Sequence, residues 1–331
     1  MYVSKICLGT AQFGISQGGW GILDEKQSHY LMDMAIDRGI NFFDTANVYG
    51  SRDGTGQSET IIGNWFSLGA NRREKVILNT KIGRDFVQGL DHVDGPNNRE
   101  GLSLYRIRRH IEDSLRRLKT EKIELYTMHK RDQETTWDEV WEAFEGLIRS
   151  GKVDYIGASN HDAWELTKAQ EIATKRNFMG LIAEQHFYTP LNRFAELEVF
   201  PMAKSYGIGV TVYSPLCRGL LGYDHTNKGE FKTNREIDLH FEHVKDKLVA
   251  YSKLCTEIGY KPAQVTLAWE LRDSVVNSII ISPNTVEQLE DLLVSLDIVM
   301  SKDILEEIDK IFPPVIEFNP YVPHGVRGGH L

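Results

Sequence analysis

Short apolar runs alternate with amphipathic segments along nearly the whole of this 331-residue chain. This is the pattern of repeated βα units, in which helices cross over between parallel strands and cover the sheet. Eight runs have strand character: Lys5 to Leu8, Ile40 to Phe43, Lys75 to Asn79, Ile123 to Met128, Val153 to Gly157, Leu181 to Ala183, Gly207 to Val212 and Ser278 to Ile281. The segments between them predict helices over 24–38, 58–66, 103–119, 137–150, 161–176, 194–205, 262–272 and 286–293. Capping supports several of these. Asp138 and Glu139 sit in a first turn, Ser150-Gly151 closes the same helix, and Pro262 suits a first helical position.

Eight such units predict an α/β chain folded as a (β/α)8 TIM barrel, a fold that commonly exceeds 250 residues as one domain. No Pro-, Ser- or Gly-rich linker divides the sequence, so residues 1–331 read as a single domain. The longest interruption, Cys217 to Lys261 between the seventh and eighth strands, carries Leu248, Tyr251, Leu254 and Ile258 and reads as an inserted loop and helix. An open doubly wound sheet would place Gly-x-Gly-x-x-Gly between its first strand and helix. Gly18-Gly19-Trp20-Gly21 has the wrong spacing and reads as loop punctuation.

Composition narrows the class. With 38 basic and 47 acidic residues the net charge is −9, which opposes non-specific attraction to nucleic acid or anionic lipid. A basic cluster, Arg106, Arg108, Arg109, Arg116, Arg117 and Lys119, shares its segment with Ile107, Ile111, Leu115 and Leu118 at helical spacing, and reads as a solvated helix face. No apolar run reaches the length of a membrane span, and Met1-Tyr-Val-Ser-Lys5 lacks the apolar stretch and cleavage site expected of a signal peptide. Cys7, Cys217 and Cys255 form no paired framework, so a cytoplasmic protein with reduced thiols is expected.

Chemistry-bearing residues recur at the C-terminal ends of the strands, where parallel barrels keep their active sites. Asp44 follows the second strand with Tyr49 in its loop, Lys81 follows the third, and His129 follows the fourth. Singly each has a structural explanation, but four titratable types at matched positions converge on one mouth.

On these residues the chain resembles an aldo-keto reductase of the bacterial type related to potassium-channel β-subunits. The matching segments are Phe43-Asp-Thr-Ala-Asn-Val-Tyr49-Gly50, Ser58-Glu59, Thr80-Lys81, Ile111 to Leu118 and Leu125-Tyr126-x-x-His129. They continue through Gly151 to Asn160, Gln185 and Tyr213-Ser-Pro-Leu-x-Arg218-Gly-Leu-Leu221. The resemblance implies a barrel that binds NAD or NADP and moves a hydride between it and an aldehyde, ketone or alcohol. It further implies that Ser159, Asn160 and Gln185 hold the nicotinamide carboxamide, that Tyr213 stacks on its ring, and that Ser214, Pro215, Leu216, Arg218 and Gly219 follow the pyrophosphate. Ser282, Asn284 and Gln288 match the segment beside the adenosine.

The catalytic residue types suit that reaction. Reducing a carbonyl builds an alkoxide, which needs an acid; Tyr49 offers one with a reference pKa of about 10. A cation beside the phenol lowers that value, which gives Lys81 a role, and Asp44 holds the ammonium. His129 hydrogen-bonds and orients the substrate oxygen.

Three departures from the family pattern shape the finer expectations. Where a family Arg or Lys grips the 2′-phosphate of NADP, this chain has Asn284, Leu292 replaces a customary asparagine, and no cation lies between Arg272 and Lys302. Good use of NAD is therefore expected. The N-terminus is too short for the hairpin that plugs the barrel floor. Basic residues follow His129 in His129-Lys130-Arg131-Asp132, and with Gln12, Asn47 and His186 they predict a polar, sugar-like substrate.

Competing readings are a redox-sensing regulatory subunit, a Schiff-base aldolase with Lys81 as nucleophile, and a metal hydrolase built on Asp238, His240 and His243. The last lacks a third strand-end ligand and reads as a helix face with no metal.

Overall fold

The computed structural model describes residues 1–15, 21–50, 56–84, 101–226 and 235–314, the side chains of 235–242 excepted. Eight parallel strands close into a barrel: β1 (Ile6–Gly9), β4 (Phe42–Asp44), β5 (Ile77–Ile82), β6 (Ile123–Met128), β7 (Val153–Ser159), β8 (Leu181–Phe187), β9 (Gly209–Tyr213) and β10 (Val276–Ile281). Around the ring β10 returns to β1, in register from Ile6 opposite Ile279 to Leu8 opposite Ile281. A two-stranded antiparallel ribbon, β2 (Gly14–Ile15) and β3 (Ile22–Leu23), lies in the connection after β1, and residues 1–5 carry no strand. The expected Gly18-Gly19-Trp20 punctuation lies outside the described residues.

Helices α1 (Glu25–Asp37), α2 (Gln57–Ser67), α3 (Leu104–Leu118), α4 (Trp137–Arg149), α5 (Ala163–Lys175), α6 (Val199–Tyr206), α7 (Arg235–Glu257), α8 (Pro262–Glu270), α9 (Val286–Leu293) and α10 (Lys302–Ile311) complete the described layer. Local chemistry starts them: Asp24 and Gln27 form a reciprocal capping box on α1, Ser103 and Thr136 cap α3 and α4, and Pro262 opens α8. The inserted helix expected before Lys261 is α7.

Several boundaries differ from the sequence reading, each for a physical reason. The segment 194–205 does not form one helix but a 3-10 turn, Phe194–Glu196, followed by α6. Pro201 has no N–H to give, and a helix starting at Val199 keeps it in the first turn, where none is needed. The terminal α10 has clear signals, Ser301 accepting from the Ile304 N–H and apolar Ile304, Leu305, Ile308 and Ile311, yet it falls beyond the eighth βα unit. The basic cluster on α3 is not uniformly solvated. Arg108, Arg116 and Lys119 are exposed, whereas Arg106 is buried and Arg117 reaches inward to Glu59.

Alternation along the strands divides the core. Leu8, Phe43, Leu78 and Tyr126 join the large cluster under the helices, while Cys7, Phe42, Leu125 and Ile280 form a smaller one. Helices α2 and α3 meet at Gly63, where a Cβ would stand 2.1 Å from the Arg117 carbonyl oxygen. Only glycine fits that crossing, and the crossing seats Glu59 under β5.

Candidate active site

The second strand of the barrel order ends on Asp44, and pairing of β4 with β5 sets Asp44 beside Asn79. Two residues further along β5, on the same side of the strand, is Lys81. The expected strand, Lys75 to Asn79, stopped two residues short of Lys81. The strand in fact continues to Ile82, because the charge is paired rather than solvated.

Lys81 is fully buried, and its ammonium donates to Asp44 Oδ2 at 2.6 Å, the Thr45 carbonyl at 2.8 Å and the Tyr49 hydroxyl oxygen at 3.3 Å. Asp44 Oδ1 accepts from Asn79 Nδ2 at 2.7 Å and Gln185 Nε2 at 2.9 Å. Thr127 in turn donates to Asn79 Oδ1 at 2.7 Å, which leaves the Asn79 amide oriented with its NH2 toward the carboxylate. Tyr49 lies edge-on to His129 with ring centroids 5.6 Å apart and 3.5 Å between hydroxyl and Nε2. The four expected catalytic residues are thus assembled from three adjacent strand ends.

Burial governs their protonation. The Tyr49 phenol is raised above its ordinary range by desolvation, with Lys81 pulling the other way and Asp44 adding to the rise. The expectation that the lysine lowers this pKa holds for its own contribution but not for the sum, because a phenol removed from water resists ionising more strongly than one buried cation favours it. Lys81 overcomes its own desolvation and is raised, chiefly through Asp44 and then Tyr49. His129 is pushed well below the usual imidazole range by burial and then by the charges of Lys81, Arg84 and Lys130. A neutral phenol, an ammonium and a neutral imidazole therefore face the mouth.

The remaining expected residues lie across the ring. Ser159 ends β7, Asn160 follows with φ 62, and Gln185 lies in β8 opposite Ser159. Asn160 Nδ2 donates to the His129 carbonyl at 3.1 Å and to Ser159 Oγ at 2.9 Å, and Tyr213 donates to Asn160 Oδ1 at 2.6 Å. Gln185 has one amide hydrogen committed to Asp44, a tie between the two halves of the site that spacing could not reveal. Tyr213 is half-buried beside Phe187. Ser214, Cys217 and Arg218 all have positive φ, Gly219 follows at φ 100, and Pro215 is buried next to Leu216. Non-glycine residues rarely hold that conformation, and such strain clusters at ligand sites.

Ser282 and Asn284 are exposed beyond β10, and Gln288 accepts from the Asn284 N–H at 2.8 Å. Two cations that reach this helix are already held by acids on it, Arg38 by Glu290 and Lys261 by Asp291. Of the other candidates, Asn47 is buried near Lys81, its N–H donating to the Lys81 carbonyl at 3.3 Å. His186 Nδ1 lies 3.2 Å from Glu184.

Sequence reasoning missed four contributors. Asn79 and Thr127 share the inward side with Lys81 and carry a polar relay to Asp44. Glu59, fully buried, accepts from Thr80 Oγ1 at 2.6 Å and Arg117 Nε at 2.7 Å and so anchors the strand from behind. Polar residues at i−2 from Lys81 and in the first turn of α2 were the available signals. Arg84, just beyond β5, is the fourth. Cys7 is buried near Asp44 and Lys81, and desolvation raises its thiol well above the ordinary value, as an inert strand residue requires. His243 is exposed on α7, while the side chains of Asp238 and His240 lie outside the described residues. No group of three His, Cys, Asp or Glu among the described residues is placed to hold a metal. None of the described helices is long and apolar enough to cross a membrane.

Comparison with known proteins agrees with this geometry over nearly the whole chain. The model of the aldo/keto reductase family matches residues 5–312. The uncharacterized oxidoreductase YrpG of Bacillus subtilis is 50% identical over 313 residues, covering 94% of this chain and 93% of the relative. A putative voltage-gated potassium channel subunit beta of Schizosaccharomyces pombe is 32% identical, with 89% and 88% covered. Versiconal hemiacetal acetate reductase of Aspergillus parasiticus is 27% identical, with 99% and 96% covered. A closed eight-stranded barrel, a buried Asp-Lys-Tyr relay at its rim and a match spanning 5–312 lead to one conclusion: the chain belongs to the aldo/keto reductase family.

Proposed function

We propose that this chain is a nicotinamide-dependent oxidoreductase that interconverts a carbonyl and an alcohol, with Tyr49 as the proton donor and acceptor. One observation carries the reading. A fully buried lysine is bonded at once to a carboxylate and to a phenol, an arrangement with a high desolvation cost and a clear use in acid–base chemistry. The Lys81 ammonium donates to the phenol oxygen, and the phenol can pass its own hydrogen to a carbonyl oxygen bound beside it. An alkoxide forming there is a far stronger base than a phenolate, so transfer is favourable even from a phenol held above its ordinary pKa. The phenolate left behind rests on Lys81, whose charge Asp44 balances. His129, neutral, can donate from Nε2 to the same carbonyl oxygen in the tautomer that leaves Nδ1 as acceptor.

The residues at the opposite rim fit a nicotinamide dinucleotide: a half-buried aromatic at a strand end, neighbouring amide and hydroxyl groups, and a loop of left-handed backbone carrying Arg218. When bound, that cofactor supplies the hydride. Tyr213 would cover one ring face, Ser159 and Asn160 would meet the carboxamide, and the 214–219 loop with Ser282 would hold the phosphates. Asn284 in place of a cation, with Arg38 and Lys261 already paired, supports efficient use of NAD(H). A polar, sugar-like substrate is supported by Asn47, which is buried with both side-chain amide atoms unpartnered, and by Gln12, whose Oε1 is likewise unpartnered.

Initial rates with Tyr49→Phe test the assignment, assayed with NADH and NADPH in parallel. Turnover should fall at least roughly a hundredfold with cofactor binding retained; near-normal turnover would refute the role of Tyr49. A regulatory nucleotide-binding subunit is the second reading, raised by the relatives named as channel subunits. Cofactor release within the catalytic cycle favours the enzyme, and release over minutes favours the sensor.

A further inference from the structure

Arg84 stands two residues beyond β5, the strand that carries Lys81, at the rim where Tyr49 and His129 converge. It is half-buried and has no hydrogen bond or ion pair with any described residue. Partly burying a guanidinium without a partner is unfavourable, so the arrangement calls for an external one.

Among the described residues, the carboxylates around the mouth do not supply it. Asp44 is taken by Lys81, and Asp132 accepts from the Leu102, Glu134 and Thr135 N–H groups. Asp162 pairs with Arg131, and Glu184 accepts from the His161 N–H. The positive charge of Arg84 instead reaches Tyr49, His129 and Tyr213. Tyr49 and His129 follow the strands flanking β5, whereas Tyr213 ends β9, which is diametrically opposite β5 in the ring. Its charge is thus felt on both sides of the ring. The loops after β9 and β10, assigned above to the cofactor phosphates, lie on the far rim, so those phosphates are not the partner. In a chain of net charge −9, a local positive mouth selects for anions.

We propose that Arg84 is a specificity-determining residue that binds an anionic group of the substrate, which is therefore a carbonyl compound bearing a carboxylate or a phosphate. This deepens the carbonyl reading and rests on it. The guanidinium offers a planar pair of donors to either oxyanion, placing the anionic end on the β5 side while the carbonyl meets Tyr49 and His129.

Two matched substrate pairs test it, glyceraldehyde 3-phosphate against glyceraldehyde and succinic semialdehyde against butanal, so that the two anion types are read separately. The wild type should favour the charged member of at least one pair by roughly tenfold or more in kcat/KM. Arg84→Gln should lower that charged-to-neutral ratio roughly ten- to a hundredfold, mainly through KM, with part restored in Arg84→Lys. Added salt should reduce the wild-type ratio. A ratio near one in the wild type, or one unchanged by Arg84→Gln, overturns the proposal. Turnover of the neutral aldehydes by the wild type reports on the carbonyl reading independently. If no member is turned over, thermal unfolding with glycerol 3-phosphate against glycerol decides the matter: stabilisation that Arg84→Gln abolishes sustains the proposal, and its absence in the wild type overturns it.

Discussion

Replacing Lys81 by methionine removes one charge from a fully buried pair while keeping most of the side chain's length. At 2.6 Å the gross attraction between Lys81 and Asp44 is about 6 kcal/mol for an effective dielectric near 20. Much of that offsets the desolvation of two ions, so the net worth of the pair is smaller. The cost of breaking it is not small, because Lys81→Met leaves Asp44 buried with only the Asn79 and Gln185 amides, both on Oδ1. About 3–5 kcal/mol should be lost, and a similar amount in Asp44→Asn, where the ammonium keeps the Thr45 carbonyl and the Tyr49 hydroxyl. The double variant contains neither charge. Its loss should fall short of the sum of the singles by roughly 2–3 kcal/mol. Equilibrium urea unfolding of the four proteins measures this, with one slope m across the set as the check that the unfolded states are comparable. Additivity within about 0.5 kcal/mol would refute the claim that the two charges are mutually dependent.

Glu270 is fully buried at the end of α8, with neither carboxylate oxygen partnered, and burial raises its pKa well above the usual range. Glu270→Leu should stabilise the protein by about 1–3 kcal/mol at pH 8. Because the folded pKa is raised, the advantage should shrink as pH falls toward about 4.5, and urea midpoints at several pH values would show no such trend if the group were ionised and solvated. Gly63→Ala drives a methyl into the α3 backbone and should cost at least about 1–3 kcal/mol; a neutral effect in the same assay would mean that the helices separate freely. His129 is held neutral, so the unfolded chain takes up its proton first, and stability present above about pH 6.5 is lost as pH falls toward the depressed folded value. Removing that imidazole in His129→Gln should flatten the acid limb of the stability profile, and an unchanged limb would contradict its burial.

The barrel was legible because parallel strands covered by helices leave long apolar runs at regular intervals, and β6 matched its expected ends at Ile123 and Met128. The convergence of Asp44, Tyr49, Lys81 and His129 was legible because these residues are chemically out of place at the ends of such runs. What spacing could not supply was how charges compensate one another. The expected strand stopped at Asn79, short of Lys81; paired with Asp44, the lysine belongs in the sheet. The same blind spot hid Arg117, a basic residue on a basic helix that turns inward to Glu59, and Arg84, whose significance lies in having no described partner. The direction of the Tyr49 shift also needed the structure, since it depends on how completely the phenol leaves water.

The ring order sets the strands β4 to β6, which carry the residues proposed to handle the proton, against β9 and β10, which carry most of those expected to grip the nucleotide. Such a layout makes the two specificities separately adjustable. On the proposed roles, changes on the 282–288 segment would retune which dinucleotide is accepted without disturbing Lys81 and its partners, and changes near Arg84 would alter which carbonyl enters without disturbing the nucleotide. Gln185 is the exception, spanning the divide through its bond to Asp44, and it is where redesign of one half would be felt in the other.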